Sequence, residues 1–252
     1  MHAKTLAGYA DGPRPCENEP MVQLHYHPST ASMAPHLLLE EIGAPFELVF
    51  VDRANNAHKA APYLALNPNG LIPVLETPDG PLFETGAILL WLADTYGGLM
   101  PGFFPALADP GRGAALKWLF WLSNSLHATE RMLFYPSHYT GGGPAMEPAQ
   151  TARTKDRIAD HLTVLAGAAD VPWLDAAGPS AHACYLAALL RWPGLYGEAD
   201  GWFDLTHWPR LLAFAQRFQA RPAAITAADA EGLGPNPFTA PVDCTPPEGS
   251  PV

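Results

Sequence analysis

Hydrophobic and polar residues in the first part of the chain follow the periods of strands and helices in turn. Residues 22–26 and 45–52 alternate apolar with polar side chains, which predicts two strands. Between them, residues 32–42 carry apolar side chains at helical spacing, and Gly43 provides a stop signal. Residues 55–66 are polar and rich in alanine, which indicates a connection with room for a helical turn. The chain therefore begins with a predicted strand, helix and second strand.

Residues 67–96 predict a hairpin followed by an amphipathic helix. The turn carries the sequence Pro78-Asp79-Gly80, whose residues favour a tight reversal of the chain. Pro73 stands at the head of the first apolar strand, where it removes one donor from the hydrogen-bond ladder. With the preceding elements, the predicted order is strand, helix, strand, short connection, two strands and helix.

The junction between the last strand and its helix carries Glu84 and Thr85, an acid followed by a hydroxyl. The first N–H groups of a helix have no partner within it and carry partial positive charge. A small anion can therefore bind at this junction.

The rest of the sequence predicts helices. Glycines and prolines between residues 97 and 110 indicate a linker. Apolar residues then recur at helical spacing in residues 113–134, 148–166, 180–192 and 208–219. The predicted organisation is an N-terminal extension (1–20), an α/β domain (21–98), a linker (99–112), an all-helical domain (113–231) and a proline-rich tail (232–252). The tail is expected to lie extended on the surface or to be disordered.

Composition narrows the possible partners. The net charge is −11 with only 14 lysines and arginines, which argues against nucleic acid because phosphate binding depends on clustered basic residues. No apolar run is long enough to cross a membrane, so no membrane partner is expected. Three widely spaced cysteines favour a reducing cytoplasm over a disulfide framework. His25 and His27 share a strand face, but no third ligand follows at a recognisable spacing, so no metal site is predicted.

The stretch NPNGLIPVLETPDGPLFETGAILLWLADTY, residues 67–96, resembles the second half of the thioredoxin-like domain of glutathione S-transferases. Three further segments, PSTASMAPHLLLEEIGAPFE, WLFWLSNSLH and YLAALLRW, are similar to the bacterial beta class of that family. The resemblance covers about residues 21–232. It implies an N-terminal thioredoxin-like α/β domain followed by a C-terminal all-α domain, a helical bundle.

The resemblance also implies where glutathione binds as co-substrate. In the family the proline, here Pro73, is cis, and the backbone of the residue before it, here Ile72, pairs with the cysteinyl part of glutathione. Glu84, Thr85 and the helix N-terminus are expected to hold the γ-glutamyl end. Leu71 stands where many members have a glutamine or lysine that reaches the glycine carboxylate. The glycyl end then needs another partner, for which the candidates are His58, Asn69 and His36.

The thiol of glutathione is expected beside the loop that opens the first helix, residues 26–32, which we call the thiol loop. Matching this loop to the beta class places Ala31 at the position of the class cysteine and Ser32 at the serine that follows it. Without that cysteine the mixed disulfide with glutathione is lost, which argues against thiol-exchange chemistry. Hydroxyl donors are then expected to stabilise the thiolate, with Ser32 first, Ser29 or Thr30 next, and Tyr26 last.

The second domain is expected to contribute His127, which faces the glutathione site in beta-class members. This histidine can hydrogen bond the sulfur or carry a proton. Seven residues earlier the beta class tends to have a polar residue, where this chain has Phe120. Aromatic residues are dense in this domain, and Tyr135 and His138 are candidates to line a pocket for an apolar, aromatic electrophile.

The resemblance predicts a cytoplasmic glutathione transferase that acts in detoxification as a homodimer. It would transfer an alkyl or aryl group from a small hydrophobic electrophile to the glutathione thiolate. Two alternatives stay open on the sequence. One is a specialised glutathione-dependent lyase, etherase or dehalogenase, because the same thiolate serves and only the hydrophobic pocket differs. The other is a non-catalytic glutathione-binding or regulatory protein of the same fold.

Overall fold

The computed structural model describes residues 22–97, 102–141, 143–196 and 201–245. The expected N-terminal extension, part of the linker and the last residues of the tail lie outside these ranges. Strands β1 to β4 span Val22–Tyr26, Phe46–Phe50, Val74–Thr77 and Gly80–Phe83. Helices α1 to α10 span Met33–Ile42, Ala61–Leu66, Thr85–Tyr96, Arg112–Trp121, Ala128–Phe134, Glu147–Gly167, Pro172–Asp175, Ala181–Leu195, Pro209–Gln219 and Pro222–Glu231.

The described strands form one mixed sheet in the order β2-β1-β3-β4. β1 pairs in parallel with β2 and antiparallel with β3, so Leu24 lies between Leu48 and Leu75. β3 and β4 form an antiparallel hairpin. This sheet, with the helical region that follows it, confirms the thioredoxin-like domain and the all-helical domain that were predicted.

Helix α1 places the thiol loop between the two domains. It begins directly after Ser32 and ends just before Gly43, whose φ of 70° lets its amide reach the carbonyl of Leu39. Glycine suits this left-handed conformation because it has no Cβ to clash. The helix packs against α3, α8 and α10 as well as β1, and most of its residues are buried. The loop before it is therefore in reach of both domains.

A long helical segment leads from the linker into the second domain. α4 continues into a π-helical stretch, Leu122–His127, and then into α5. π-helical turns inside α-helices are often found at functional sites. Here the stretch carries both Ser123 and His127 to the same cavity.

Helix α8 forms the centre of the helical domain. Its residues from Ala181 to Pro193 are all buried. Such a helix has no polar face, because it is surrounded by other elements on every side. Along the described residues, no helix combines the length and hydrophobicity needed to cross a membrane.

Near its C-terminal end, the described chain contains a helix, α10, that the sequence pattern does not predict separately. α10 begins at Pro222 and ends at Glu231, and the residue that follows it, Gly232, has a φ of 65°. A proline in the first turn and a glycine after the last are ordinary helix boundaries. The buried apolar positions of this helix are all alanines, so its hydrophobic period is weak.

The first part of the tail also differs from the expected extended or disordered segment. Leu233 and Phe238 are each 1% exposed. Arg191 of α8 donates to the carbonyls of Pro237 and Val242 at 3.1 and 2.6 Å. The proline-rich sequence lacks a periodic pattern, yet its backbone carbonyls satisfy a buried guanidinium, and this holds the segment against the helical domain.

Candidate active site

A cleft of about 460 Å³ lies between the sheet and the helical domain. Its walls come from the thiol loop, the segments before β3 and α3, the π-helical stretch and α5. Of the predicted site residues, the cleft brings together Ser29, Thr30, Leu71, Ile72, Pro73, Glu84, Thr85 and His127. Tyr26 and Ser32 are not among its lining residues, and they are 7% and 0% exposed.

The segment before β3 leaves its backbone open toward the cleft. The Ile72–Pro73 bond is cis, as the resemblance implies. The carbonyl of Leu71 accepts from Tyr63 and Asn67 at 2.9 and 2.8 Å. Ile72, by contrast, has no backbone partner within the described part of the chain. Its amide and carbonyl can therefore pair with an extended peptide, as an added strand does.

The candidates for the glycyl end of glutathione separate in the structure. His58 lines the cleft, Asn69 does not, and His36 is fully buried. Lys59, which is not among the predicted site residues, also lines the cleft and donates to the carbonyl of Gly70 at 2.9 Å. The apolar side chain of Leu71 is 39% exposed. A carboxylate next to Ile72 would therefore meet a lysine and a histidine.

Glu84 has a strained backbone. It precedes α3 with φ 75° and ψ 115°, a conformation that is rare outside glycine and costs on the order of 1–3 kcal/mol. Its side chain is exposed to the cleft, and its carboxylate has no hydrogen bond or ion pair with another described residue. Thr85 begins α3 beside it, with the unpartnered amides of a helix N-terminus. This junction presents a carboxylate and several N–H donors, which suit the ammonium and carboxylate of an α-amino acid.

The hydroxyl groups of the thiol loop differ in whether each one already donates its proton to an acceptor within the protein. The buried Ser32 hydroxyl donates to the carbonyl of His27 at 3.1 Å. Thr30 lines the cleft, yet its hydroxyl donates to the same carbonyl at 2.8 Å. The oxygen of Ser29 accepts from Nε of Arg191 at 2.9 Å, so its own proton has no acceptor among the described residues. Ser29 therefore combines a position in the cleft with an uncommitted proton.

Helices α8 and α10 hold Ser29, whose φ is 59°, from three sides. Its amide donates to Oε2 of Glu231 at 2.9 Å, and its carbonyl accepts from Nε1 of Trp192 at 2.9 Å. Arg191 binds its hydroxyl, and both Arg191 and Glu231 are 0% exposed. None of Arg191, Trp192 and Glu231 is among the site residues predicted from the sequence. One signal was available, since an arginine inside a wholly apolar helical run needs a polar partner.

A buried ion pair between His36 and Glu231 stabilises the carboxylate that accepts the hydrogen bond from the Ser29 amide. Nδ1 of His36 lies 2.7 Å from Oε1 of Glu231, and both side chains are fully buried. Burial lowers the pKa of His36, but hydrogen bonds to Glu231 and Glu40 outweigh burial and raise the pKa to about 9. His36 is therefore protonated at neutral pH and balances the charge of Glu231.

His127 faces the cleft from the helical domain and contacts Tyr185. Its Nδ1 lies 2.8 Å from the phenol oxygen, which Ser123 and Thr85 also contact by hydrogen bonds. Burial, and to a smaller extent the charge of Arg131, lowers the pKa of His127 to about 4, so the imidazole is neutral near pH 7. Burial also raises the pKa of Tyr185, so its phenol keeps its proton.

The part of the cleft beside α5 carries arginines and aromatic rings. We call it the mouth, and it consists of Arg53, Arg131, Phe134, Tyr135, His138 and Tyr196. Nη2 of Arg53 donates to the Tyr135 phenol at 3.1 Å, and the Arg131 guanidinium lies 5.3 Å from the centre of the same ring. Tyr135 and His138 therefore line the cleft, where an electrophile pocket was expected, whereas the arginines were not anticipated.

Comparisons with known proteins identify the family. The sequence profile for the N-terminal domain of glutathione S-transferases matches residues 20–94. A glutathione S-transferase of Xanthomonas campestris is 31% identical over 213 residues, which cover 84% of this chain and 100% of the relative. A sphingomonad glutathione S-transferase, solved in complex with glutathione, is 32% identical with a TM-score of 0.68, covering 84% of this chain and 100% of its own. A bacterial beta-class glutathione S-transferase of Sphingomonas chungbukensis is 28% identical with a TM-score of 0.67 over the same shares, 84% and 100%. The chain therefore belongs to the glutathione S-transferase family.

Proposed function

We propose that this protein is a glutathione transferase that moves an alkyl or aryl group from a small hydrophobic electrophile to the sulfur of glutathione. The observation that carries the proposal is the convergence of three kinds of group in one cleft. These are the open backbone of Ile72, the strained junction at Glu84, and the Ser29 hydroxyl in the same cavity as His127. Family membership supports it, since the sphingomonad relative was solved with glutathione bound.

Each part of glutathione has a partner in this proposal. The Glu84 carboxylate binds the ammonium of the γ-glutamyl head, and the first amides of α3, from Thr85 onward, bind its carboxylate. Ile72 pairs with the cysteinyl backbone. Lys59 and His58 bind the glycine carboxylate, because Leu71 offers no polar group.

Activation of the thiol falls to the thiol loop. A free thiol has a pKa of roughly 8.5, so hydrogen bonds that stabilise the thiolate increase the reactive fraction at neutral pH. We assign this role to Ser29, whose free hydroxyl proton is made more acidic by the guanidinium of Arg191. The amide of Ala31 adds a second donor, since it has no backbone acceptor among the described residues. Ser32 and Tyr26, both buried, are assigned to holding the loop.

Tyr185 fixes the proton of the neutral His127. When Ser123 and Thr85 donate to the phenol oxygen, the phenol donates its own proton to Nδ1 of His127. The imidazole proton then lies on Nε2, which can donate to the sulfur or to a departing group.

The transfer step needs only the glutathione thiolate and the electrophile. The thiolate sulfur forms a bond to the electrophilic carbon, and the bond from that carbon to the leaving group breaks. The leaving group departs with the electron pair. Because Ala31 has no thiol, the loop forms no mixed disulfide, and this favours transfer to carbon over thiol exchange.

The test is an ultraviolet difference titration that follows the thiolate absorbance of glutathione as pH is varied. The wild-type protein is expected to give a saturable signal with a lowered thiol pKa. Glu84→Ala is expected to abolish binding, whereas the isosteric Glu84→Gln keeps an acceptor for the ammonium and loses less affinity. Unchanged binding by Glu84→Ala would show that the junction is assigned wrongly. Binding without ionisation would rule out activation of the thiol.

We further propose that the protein acts in detoxification as a homodimer in the cytoplasm. Cys184 and Cys244 are free thiols, which suits a reducing compartment. Phe120 on α4 is 59% exposed and offers apolar surface to a second copy. Light scattering is expected to give twice the mass of the 27.0 kDa chain, and a monomer at micromolar concentration would contradict the pairing.

A further inference from the structure

The mouth contains two arginines without an acidic partner. Neither Arg53 nor Arg131 forms an ion pair with any carboxylate in the described ranges; both contact Tyr135 instead. The chain has a net charge of −11, so carboxylates are abundant. Outside the cleft, three arginines form ion pairs with carboxylates, Arg112–Asp94, Arg210–Asp175 and Arg221–Glu41, whereas Arg153 and Arg157 of α6 form none among the described residues. What distinguishes Arg53 and Arg131 is that both line the cleft and contact the same tyrosine.

The mouth also offers flat aromatic surface beside these charges. The rings of Phe134 and Tyr196 have centroids 4.3 Å apart, and Tyr135 stacks on His138 at 5.5 Å. Aromatic side chains favour an aromatic ligand, because ring pairs attract each other beyond the burial of apolar area. Arg131 lies over the Tyr135 ring, so cation and aromatic surface adjoin.

The carboxylates of glutathione are assigned to other groups in the proposed binding mode. Its head carboxylate is assigned to the start of α3, and its glycine carboxylate to Lys59 and His58. Arg53 points toward the helical domain, where it reaches Tyr135. Arg131 belongs to that domain and lies close enough to His127 to lower its pKa. Both guanidinium groups are therefore placed on the side of the cleft that receives the electrophile.

We propose that the electrophile is an aromatic compound bearing a carboxylate, which Arg53 and Arg131 bind while its ring lies against the aromatic side chains of the mouth. This inference rests on the proposed transferase function and adds its substrate class. Guanidinium groups match carboxylates through paired hydrogen bonds, and such bonds are stronger in a cleft than in open water.

The test compares two aryl chlorides that differ in one group, a chlorodinitrobenzoate with its carboxylate para to the chlorine, and the corresponding carboxamide. In both, the glutathione sulfur bonds to the chlorine-bearing carbon, and chloride leaves with the electron pair. After division by the uncatalysed rate constants, the wild-type kcat/KM for the carboxylate is expected to exceed that for the carboxamide by at least about tenfold. Arg53→Met and Arg131→Met are expected to lower this ratio by about tenfold or more. Arg157→Met, at an exposed position of α6 outside the cleft, is the matched control and keeps the ratio.

A binding measurement makes the result independent of turnover. Calorimetry compares the S-aryl glutathione conjugates of the two compounds, and the carboxylate conjugate is expected to bind at least about tenfold more tightly to the wild type than to Arg131→Met. The inference is wrong if the kcat/KM ratio of carboxylate to carboxamide is near one, or if Arg53→Met and Arg131→Met leave that ratio unchanged. In either case, turnover of the carboxamide would still support the transferase proposal. If Arg53→Met weakens glutathione binding equally with both compounds, the arginine serves the glycine carboxylate and the inference is wrong. Failure to bind either conjugate rejects the transferase proposal along with it.

Discussion

The two ends of the cleft are held by different kinds of contact. At the thiol loop, the amide, carbonyl and hydroxyl of Ser29 are all bound by side chains of α8 and α10. The carboxylate that binds its amide is itself neutralised by His36 in the interior. At the mouth, Arg53 and Arg131 contact an aromatic ring and, among the described residues, no carboxylate.

The two ends also differ in what the loss of a hydrogen-bond or charge partner would cost. A buried polar group that loses its partner carries the full cost of desolvation, so the contacts behind the thiol loop permit one geometry. The arginines at the mouth are partly exposed, and they can exchange water or Tyr135 for a ligand without stranding a buried charge. We infer that the inner end fixes how the thiol is activated, whereas the mouth decides which electrophile is accepted.

Of the changes considered, removing Glu231 behind the thiol loop is expected to cause the largest loss, which is a loss of folding stability. Glu231→Ala leaves the protonated His36 and the amide of Ser29 buried without their partner, and breaking a buried pair in this way costs about 3–5 kcal/mol. Urea unfolding measures the loss. The matched control is Asp229→Ala, an exposed acid of the same helix, which is expected to change stability by less than about 0.5 kcal/mol. A loss from Glu231→Ala as small as that of the control would contradict the comparison.

The pH dependence of stability shows whether this effect is electrostatic. Folding raises the pKa of His36 from 6.5 to about 9, so its contribution is complete below 6.5 and is lost as pH rises through about 9. Folding lowers the pKa of His127 from 6.5 to about 4, so its contribution is present above 6.5 and is lost as pH falls toward about 4. Wild-type stability is therefore expected to decline on both sides of neutrality. The alkaline decline should shrink in Glu231→Gln, and an equal decline in both proteins would rule out the ion pair as its cause.

Removing the Ser29 hydroxyl is expected to have the next largest effect. A hydrogen bond to a charged group contributes about 1.5–3 kcal/mol, so Ser29→Gly should raise the pKa of bound glutathione by about one unit or more. Glycine also accepts the φ of 59° at this position, so the loop keeps its shape. Ultraviolet titration of the complex measures the shift. Thr30→Val and Ser32→Ala are the controls, and a larger shift in either one would transfer the role of thiol donor to that residue.

The smallest expected effect is that of Tyr185→Phe, which removes one neutral hydrogen bond to His127. Such a bond contributes about 0.5–1.5 kcal/mol, so kcat/KM should fall about two- to tenfold. A double-mutant cycle with His127→Ala separates positioning from packing. The loss should disappear when His127 is absent, and a loss that persists undiminished would mean that Tyr185 acts through the core instead.

Much of the fold could be predicted because its signals are local. The alternation in residues 22–26, the stop at Gly43 and the turn at Pro78-Asp79-Gly80 each depend on neighbouring residues. α10 was not predicted because its buried apolar positions are all alanines, which give little contrast with a polar face. The packing of the first part of the tail was not predicted for a related reason. Its proline-rich sequence has no hydrophobic period, and hydrogen bonds from Arg191 of α8 hold it in place.

By itself, the sequence determined the order of elements, the family, and the two junctions at Ile72-Pro73 and Glu84-Thr85. Each of these is encoded by residues close together in the chain. Only the tertiary structure decided which hydroxyl of the thiol loop keeps a free proton, because the answer depends on Arg191 and Glu231, which lie 162 and 202 residues beyond Ser29. It likewise decided that Arg53 and Arg131 meet at one tyrosine with no carboxylate beside them in the described chain. Hydrogen-bond partners and charge pairs are properties of neighbours in space, and residues far apart in sequence supply them.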